Sequence, residues 1–235
     1  YAASFSGFYI AMFLVLATLI LRPVGCEFRQ KISDPRWRAG WDYALFAGGL
    51  VPSLVFGVAV GNLFEGVPFR IDGDMRFFYE GSGMFELLNP FGLLCGLVSL
   101  AMLAGHGAAW LTCKTGGAVR QRARQAAMVL PLVAVVLFLV SGVWVHTGLD
   151  GYQVTGLIMP DGPSDPTIKS VALVPGGWMG NFERHPILFL VPVLGVGGML
   201  ANAWFNAKNR PARAFIASGF GIGGIIGTAG VALFP

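Results

Sequence analysis

The chain alternates between long apolar stretches and short polar loops. Asp, Glu, Lys and Arg are absent from six segments, residues 1–21, 43–64, 87–113, 125–149, 185–207 and 214–235. Each is long enough to cross the ~30 Å hydrocarbon core of a bilayer as an α-helix. The pattern therefore predicts an all-α integral membrane protein, with a bundle of six transmembrane helices that forms a single domain over residues 1–235.

Prolines and capping residues set the predicted helix ends. Arg22 and Pro23 are expected to end the first helix, because proline removes a backbone donor and restricts the residue before it. Asp34 and Pro35 suit the cap and first turn of an amphipathic segment that leads into the second helix. The predicted helices span about residues 2–21, 41–64, 88–113, 125–146, 186–207 and 213–234.

The charged loops predict an orientation. The first, third and fifth loops carry five, four and three Lys or Arg residues, whereas the second and fourth carry two each and most of the acidic residues. Basic residues concentrate on the cytoplasmic side of membrane proteins. The odd-numbered loops are therefore expected in the cytoplasm, and Tyr1 and Pro235 near the outer face. Because no initiator methionine precedes Tyr1 and an apolar run reaches Pro235, we expect an internal piece of a longer membrane protein.

Composition narrows the class of protein. A mean hydropathy of +0.67 with 12% charged residues excludes an ordinary soluble domain and a disordered chain. The net charge of +4 comes from basic residues where helices leave the membrane, which suits contact with lipid phosphates and not with nucleic acid. Cys26, Cys95 and Cys113 lack C-x-x-C spacing, so neither a disulfide framework nor a zinc site is indicated.

Glycine is abundant in the last two predicted helices. Gly219, Gly223 and Gly227 recur at intervals of four residues and would share one helix face. Small residues let membrane helices approach closely, so we expect this face to pack against another helix. The alternative is that glycine is simply common in membrane helices.

The three histidines are the obvious cofactor candidates. His106 lies inside the third predicted helix between two glycines, whereas His146 and His185 lie at helix ends. A haem ligand at His106 is one interpretation, and an interior histidine hydrogen-bonded across helices is the other. Because the other two histidines are interfacial, no transmembrane pair of haem ligands is predicted, and no metal site.

Polar residues near helix ends are the remaining candidates. Asn62 and Asn89 are expected near the outer face, in hydrogen bonds between helices, because buried amides need partners. Asp42 follows Trp41, part of an aromatic belt, at the cytoplasmic end of the second helix, and Asp150 follows the fourth helix at the outer face. Either aspartate would suit a proton path, or else a solvated cap or ion pair.

Motifs of soluble enzymes are absent: the sequence contains no G-x-S-x-G, Walker loop or H-E-x-x-H. A segment of a small-solute transporter is one alternative. It would need broken helices, and Pro52 and Pro131 would supply such breaks. A pure membrane assembly scaffold is another.

Motifs in order along the whole chain resemble subunit II of the cytochrome bd-type quinol oxidases. They are A-A-S-F-S-G-F-Y (Ala2–Tyr9), R-P-V-G (Arg22–Gly25), R-W-R-x-x-W-D (Arg36–Asp42), G-N-L-F-E-G-V-P-F (Gly61–Phe69), L-L-N-P-F-G-L-L (Leu87–Leu94), G-V-W-V (Gly142–Val145), G-L-D-G-Y (Gly148–Tyr152) and T-A-G-V-A-L-F-P (Thr228–Pro235). Any one motif alone would be weak, but the ordered set is specific.

The resemblance implies a bacterial cytoplasmic-membrane complex that oxidises quinol, reduces dioxygen to water and takes up protons from the cytoplasm. It implies a heterodimer with subunit I, which would carry haem b and haem d. Subunit II would be a haem-free scaffold that supports proton uptake and, in some members, holds a structural quinone. The family has about three more helices than the six here.

Two residues are carried over from the family motifs as proton-uptake candidates. They are Arg22, in the R-P-V-G motif, and Asp42, in the W-D pair. The alternative for this pair is a salt bridge or hydrogen bond that fixes the loop.

Overall fold

The computed structural model describes residues 6–74, 76–81, 84–156, 162 and 170–234. Six helices in this part of the chain are long and apolar enough to cross a membrane. The long helices are α1 (Tyr9–Phe28), α2 (Pro35–Glu65), α3 (Pro90–Lys114), α4 (Gly117–Gly148), α6 (Leu190–Ala207, preceded by a 3-10 turn over Pro186–Phe189) and α7 (Pro211–Leu233), and α5 (Gly180–Arg184) is short. The predicted all-α membrane fold is confirmed.

The predicted end of the first helix was wrong. α1 continues through Pro23 to Phe28. A proline inside a helix forfeits one backbone hydrogen bond, whereas ending the helix in an apolar environment would expose several unpaired backbone groups. Pro52 and Pro131 likewise lie inside continuous helices.

Two helices begin earlier than predicted. α2 begins at Pro35, because the Asp34 carboxylate accepts a hydrogen bond from the Arg36 backbone N–H at 2.9 Å and Pro35 occupies the first turn. The expected cap is confirmed, but the lead-in is continuous with the membrane helix. α4 begins at Gly117, and its 32 residues extend about 48 Å, more than the hydrocarbon core requires.

Two short β-hairpins occur in the connecting segments, and the sequence pattern did not predict them. β1 (Phe69–Ile71) pairs antiparallel with β2 (Phe77–Tyr79), and β3 (Asp150–Val154) pairs antiparallel with β4 (Val171–Pro175). The Asp72 carboxylate helps close the first hairpin by accepting hydrogen bonds from the backbone N–H groups of Asp74 and Arg76. Strands of three residues, as in the first pair, and of five residues, as in the second, give little alternation to recognise.

The chain divides into two compact units, one formed by Tyr1–Asn62 with Gly66–Leu100 and the other by Leu63–Glu65 with Ala101–Pro235. The single domain over residues 1–235 stays a prediction. In the first unit, α2 and α3 approach through two G-x-x-x-G pairs, Gly57 with Gly61 and Gly92 with Gly96. A Cβ placed on Gly57 would lie 2.7 Å from Gly96 Cα, and one on Gly61 would lie 2.7 Å from Gly92 Cα.

In the second unit, α6 and α7 approach through a similar glycine contact. A Cβ on Gly198 would lie 2.6 Å from Gly221 Cα, and one on Gly224 would lie 2.5 Å from Gly195 Cα. Close packing through glycine was expected, but the predicted face was partly wrong. Gly219 and Gly223 have no heavy atom within 4 Å of an added Cβ, because their side of α7 faces away from α6.

Candidate functional site

A bidentate ion pair closes the loop between α1 and α2. Arg29 Nε donates to Asp42 Oδ1 at 2.6 Å, and its Nη2 donates to Oδ2 at 3.1 Å. The side chains are 41% and 53% exposed, so the pair is accessible to solvent or lipid headgroups. The hydrogen bond to Asp42, and then the charge of that carboxylate, raise the pKa of Arg29 above its usual value. The guanidinium therefore stays charged at any physiological pH.

The sequence-based pairing of Asp42 with Arg22 was wrong. Arg22 lies on the side of α1 that packs on α2, where a Cβ on Gly48 would lie 2.7 Å from Arg22 Cγ and 2.8 Å from the Thr18 carbonyl oxygen. Its guanidinium makes no hydrogen bond or ion pair with any residue that the structure describes. Arg29 takes the aspartate because it lies immediately beyond the end of the extended α1.

Aromatic side chains hold the same loop together. Trp37 Nε1 donates to the Phe28 carbonyl oxygen at 2.9 Å. Trp41 lies edge-on to Trp37 and tilted against Phe28, with ring centroids 5.8 Å apart in both pairs. Trp41 thus packs against Phe28 at the end of α1 and precedes Asp42 on α2.

Asn62 and Asn89 form a hydrogen-bonded junction between α2 and the start of α3. Asn62 is 3% exposed; its Nδ2 donates to the carbonyl oxygens of Val58 and Leu87 at 2.8 and 2.7 Å. Asn89 Nδ2 donates to Asn62 Oδ1 at 3.0 Å, and Asn89 Oδ1 accepts from the Gly92 backbone N–H at 2.5 Å. The predicted hydrogen bond between these two elements is present.

His106 is held by α7. Its Nδ1 lies 2.7 Å from Ser218 Oγ, and its ring stacks on Phe215 with centroids 4.5 Å apart and planes inclined by 25°. Ser218 Oγ also donates to the Phe215 carbonyl oxygen at 2.7 Å. Since that bond uses the only hydroxyl hydrogen, Nδ1–H is the donor to Oγ. The hydrogen bond across helices that the sequence suggested for His106 is present.

The three histidines lie in different elements of the structure. The α7 contacts hold Nδ1 and one ring face of His106. Of the other histidines, His146 lies in the last turn of α4 and His185 precedes a 3-10 turn. Among the described residues, no three His, Cys, Asp or Glu side chains are grouped so that they could hold a metal ion.

Asp150 lies in a hairpin and not in a helix cap. It opens β3 and lines a polar cavity of about 300 Å³ with His146, Gln153 and Glu183. The adjoining Gly151 permits a close approach, because a Cβ there would lie 2.6 Å from Gly177 Cα. The side chain of Asp150 is exposed and makes no ion pair or hydrogen bond with another described residue.

The structure thus separates the sequence-predicted residues. It brings Asn62 and Asn89 together and fixes Asp42 beside Trp41, but His106 and Asp150 lie in the second unit, in different elements. Three polar residues of α4 and α6 were missed. Arg124 donates to the carbonyl oxygens of Asn206 and Ala207 at 2.8 and 2.9 Å, and Asn202 is buried one turn from Asn206. The sequence did contain a signal for this polar cluster, namely two asparagines four residues apart in an otherwise apolar helix.

Comparison with known proteins covers the entire chain. The model of the family described as "Cytochrome bd terminal oxidase subunit II" matches residues 1–235. The "Probable cytochrome oxidase subunit 2" of Haemophilus influenzae is 52% identical, and the "Cytochrome bd-I ubiquinol oxidase subunit 2" of Escherichia coli K12 is 47% identical, each over all 235 residues of this chain. The "Cytochrome bd ubiquinol oxidase subunit 2" of Bacillus subtilis is 36% identical over 59% of this chain and 40% of its own length.

The chain spans 62% of the length of the Haemophilus and Escherichia relatives. The matched region contains the glycine contacts and the Asn62–Asn89 junction, as well as all six apolar helices. The chain therefore belongs to the cytochrome bd terminal oxidase subunit II family and is a multi-pass bacterial membrane protein.

Proposed function

We propose that this chain acts as subunit II of a bacterial cytochrome bd-type terminal oxidase, in a complex that oxidises quinol and reduces dioxygen to water. The observation that carries the proposal is the match over all 235 residues, at 47% identity, to a protein described as a cytochrome bd-I ubiquinol oxidase subunit. The complex lies in the cytoplasmic membrane, with subunit I as the partner in a heterodimer and with quinol as the reductant.

Within that complex the chain is a haem-free scaffold, and haem b and haem d are bound by subunit I. The positions of the histidines support this assignment, because His106 lies inside α3 whereas His146 and His185 lie at the ends of other elements. The glycine contacts support a scaffold role, because they fix helices at short range. Asn62, Asn89 and Trp41 serve the scaffold, and Asp150 belongs to the solvent-facing hairpin.

Arg22 and Asp42 are the proposed proton-uptake residues. Asp42 on α2 and its partner Arg29 are accessible, and the positive-inside pattern predicts that the loop between α1 and α2 lies in the cytoplasm. Arg22 is also exposed. It lies in the next-to-last turn of α1, just before this loop. A carboxylate at the end of a membrane helix is a candidate member of a proton path.

A structural quinone or a lipid chain would suit an apolar cavity of the first unit. The cavity has a volume of about 280 Å³ and lies between α1 and α2, lined by Phe8, Leu14, Leu54 and Val58 among others. The transporter alternative is not favoured, since Pro52 and Pro131 do not break their helices.

A visible absorption spectrum of the native complex, purified through a tag on this chain, tests the oxidase proposal. Haem d absorption together with quinol-dependent oxygen consumption is the expected result. A purified assembly without haem in any co-purifying subunit would overturn it.

A further inference from the structure

Two buried asparagines on α6 form an incompletely satisfied polar pair. Asn202 and Asn206 are 0% and 1% exposed and lie one turn apart. Asn206 Nδ2 donates to Asn202 Oδ1 at 2.8 Å and to the Asn202 carbonyl oxygen at 3.1 Å. Within the described chain, Asn202 Nδ2 and Asn206 Oδ1 have no hydrogen-bond partner.

Turning the amide groups does not remove the deficit. If only one amide is turned, two donors or two acceptors face each other. If both are turned, the bond between the side chains is restored with its direction reversed, but Asn206 Oδ1 then faces the Asn202 carbonyl oxygen. One amide donor and one carbonyl acceptor still lack partners. The pair therefore needs a third group that both accepts and donates.

The surroundings restrict what that group is. The neighbouring buried positions on α6 are Met199, 0% exposed, and Ala203, 9% exposed, neither of which supplies a strong hydrogen bond. The Nε and Nη2 atoms of Arg124 are directed at the backbone carbonyl oxygens of Asn206 and Ala207. Because both asparagines are enclosed, a lipid headgroup or a partner side chain would reach them only if the helices separated.

We propose that Asn202 and Asn206 bind an internal water molecule. The water accepts a hydrogen bond from Asn202 Nδ2 and donates one to Asn206 Oδ1, which satisfies both orphaned atoms. Water is the smallest molecule that supplies both roles. The water lies near the end of α6. There Arg124 of α4 donates hydrogen bonds to the last carbonyl groups of α6.

Radiolytic hydroxyl-radical labelling of the intact complex, read by mass spectrometry, tests the site. Radicals formed from a bound water oxidise side chains beside it even when those side chains are buried. Met199 lies three residues before Asn202 and is an oxidisable reporter. Met102, 6% exposed on α3, is the internal control. We expect oxidation of Met199 to exceed that of Met102 at least threefold.

The matched variant is Asn202→Leu combined with Asn206→Leu, which keeps side chains of similar size and removes both amides. Oxidation of Met199 should fall to the level of Met102, whereas Ser141→Ala, which removes a buried hydroxyl bonded within α4, should leave it unchanged. Equal labelling of the two methionines in the unmodified complex, or unchanged labelling of Met199 in the double variant, would overturn the proposal.

If the double variant does not assemble, a high-resolution map of the unmodified complex decides the question. A density peak within hydrogen-bond distance of both Asn202 Nδ2 and Asn206 Oδ1 is expected. Well-resolved amides without such a peak, or with a protein or lipid atom in its place, would contradict the water site. None of these outcomes depends on whether the complex is an oxidase.

Discussion

At the scale of single residues, the role of Asp42 depends on what its carboxylate does besides binding Arg29. We predict that Asp42→Asn lowers quinol oxidase turnover per haem severalfold and leaves haem content and subunit association unchanged. The substitution keeps the shape of the side chain but removes its charge and its titratable proton. Oxygen consumption normalised to haem measures the effect.

The control is Arg29→Gln, which removes the ion pair and keeps the carboxylate. If the pair only fixes the loop, both variants should reduce the amount of complex to the same degree and leave turnover per haem alone. Since the pair is exposed, its contribution to folding is expected to be small. Full activity and full assembly in Asp42→Asn would leave this carboxylate without either role.

His106 gives a second prediction at this scale. Substituting His106→Ala should leave the content of each haem in the complex unchanged, because both haems are proposed to be bound by subunit I, whereas this imidazole contacts α7 of its own chain. Haem extraction and quantification after purification measure it. His106→Gln, which retains a hydrogen-bonding side chain, controls for loss of packing. Selective loss of one haem from both variants would show that His106 is a ligand.

At the scale of helices, individual glycines differ according to the face they occupy. We predict that Gly198→Ala destabilises the protein by about 1–3 kcal/mol, because its methyl group would meet α7 at 2.6 Å from Gly221 Cα. Its neighbour provides a matched control, since Gly197 has no heavy atom within 4 Å of an added Cβ. Thermal unfolding of the purified complex compares the two. Equal loss in Gly197→Ala would contradict the prediction, because the cost would then not come from the contact with α7.

The same logic applies to α2 in the first unit. Gly57→Ala should weaken the contact with α3, whereas Gly49→Ala, on the same helix and with open space around it, should be tolerated. The yield of assembled complex and its unfolding temperature report the difference. Equal effects would mean that the Gly57 contact with α3 is not limiting for assembly.

The sequence identified the helices but not their contacts. An absence of charge over about 20 residues is sufficient to locate a membrane helix, so all six were predicted. Which glycines pack depends on the rotation of each helix about its axis, and apolar residues on every side of a membrane helix do not define that rotation. Gly219 and Gly223 were therefore assigned to a contact that Gly221 and Gly224 make.

For the site residues too, the sequence predicted that partners exist but not always which residues they are. Asn62 and Asn89 were each predicted to make hydrogen bonds between helices, because a buried amide requires a hydrogen-bond partner whatever the geometry. The partner of Asp42 was missed because α1 was expected to end at Pro23, six residues before Arg29. Once the helix extends to Phe28, Arg29 and not Arg22 lies beside the start of α2.

At the scale of the whole molecule, the distribution of charge predicts the orientation in the membrane. Arg122, near the start of α4, and Arg210, just before α7, are expected on the cytoplasmic side, and Arg76 on the outer side. All three side chains are exposed, so a cysteine at any of these positions is available to a reagent. In intact cells, an impermeant thiol reagent should label Arg76→Cys and leave Arg122→Cys and Arg210→Cys unlabelled until the membrane is opened. Cys26, Cys95 and Cys113 are first replaced by alanine so that only the introduced thiol reacts. Labelling of Arg122→Cys from outside intact cells would reverse the orientation, and with it the assignment of Asp42 to the side from which protons are taken up.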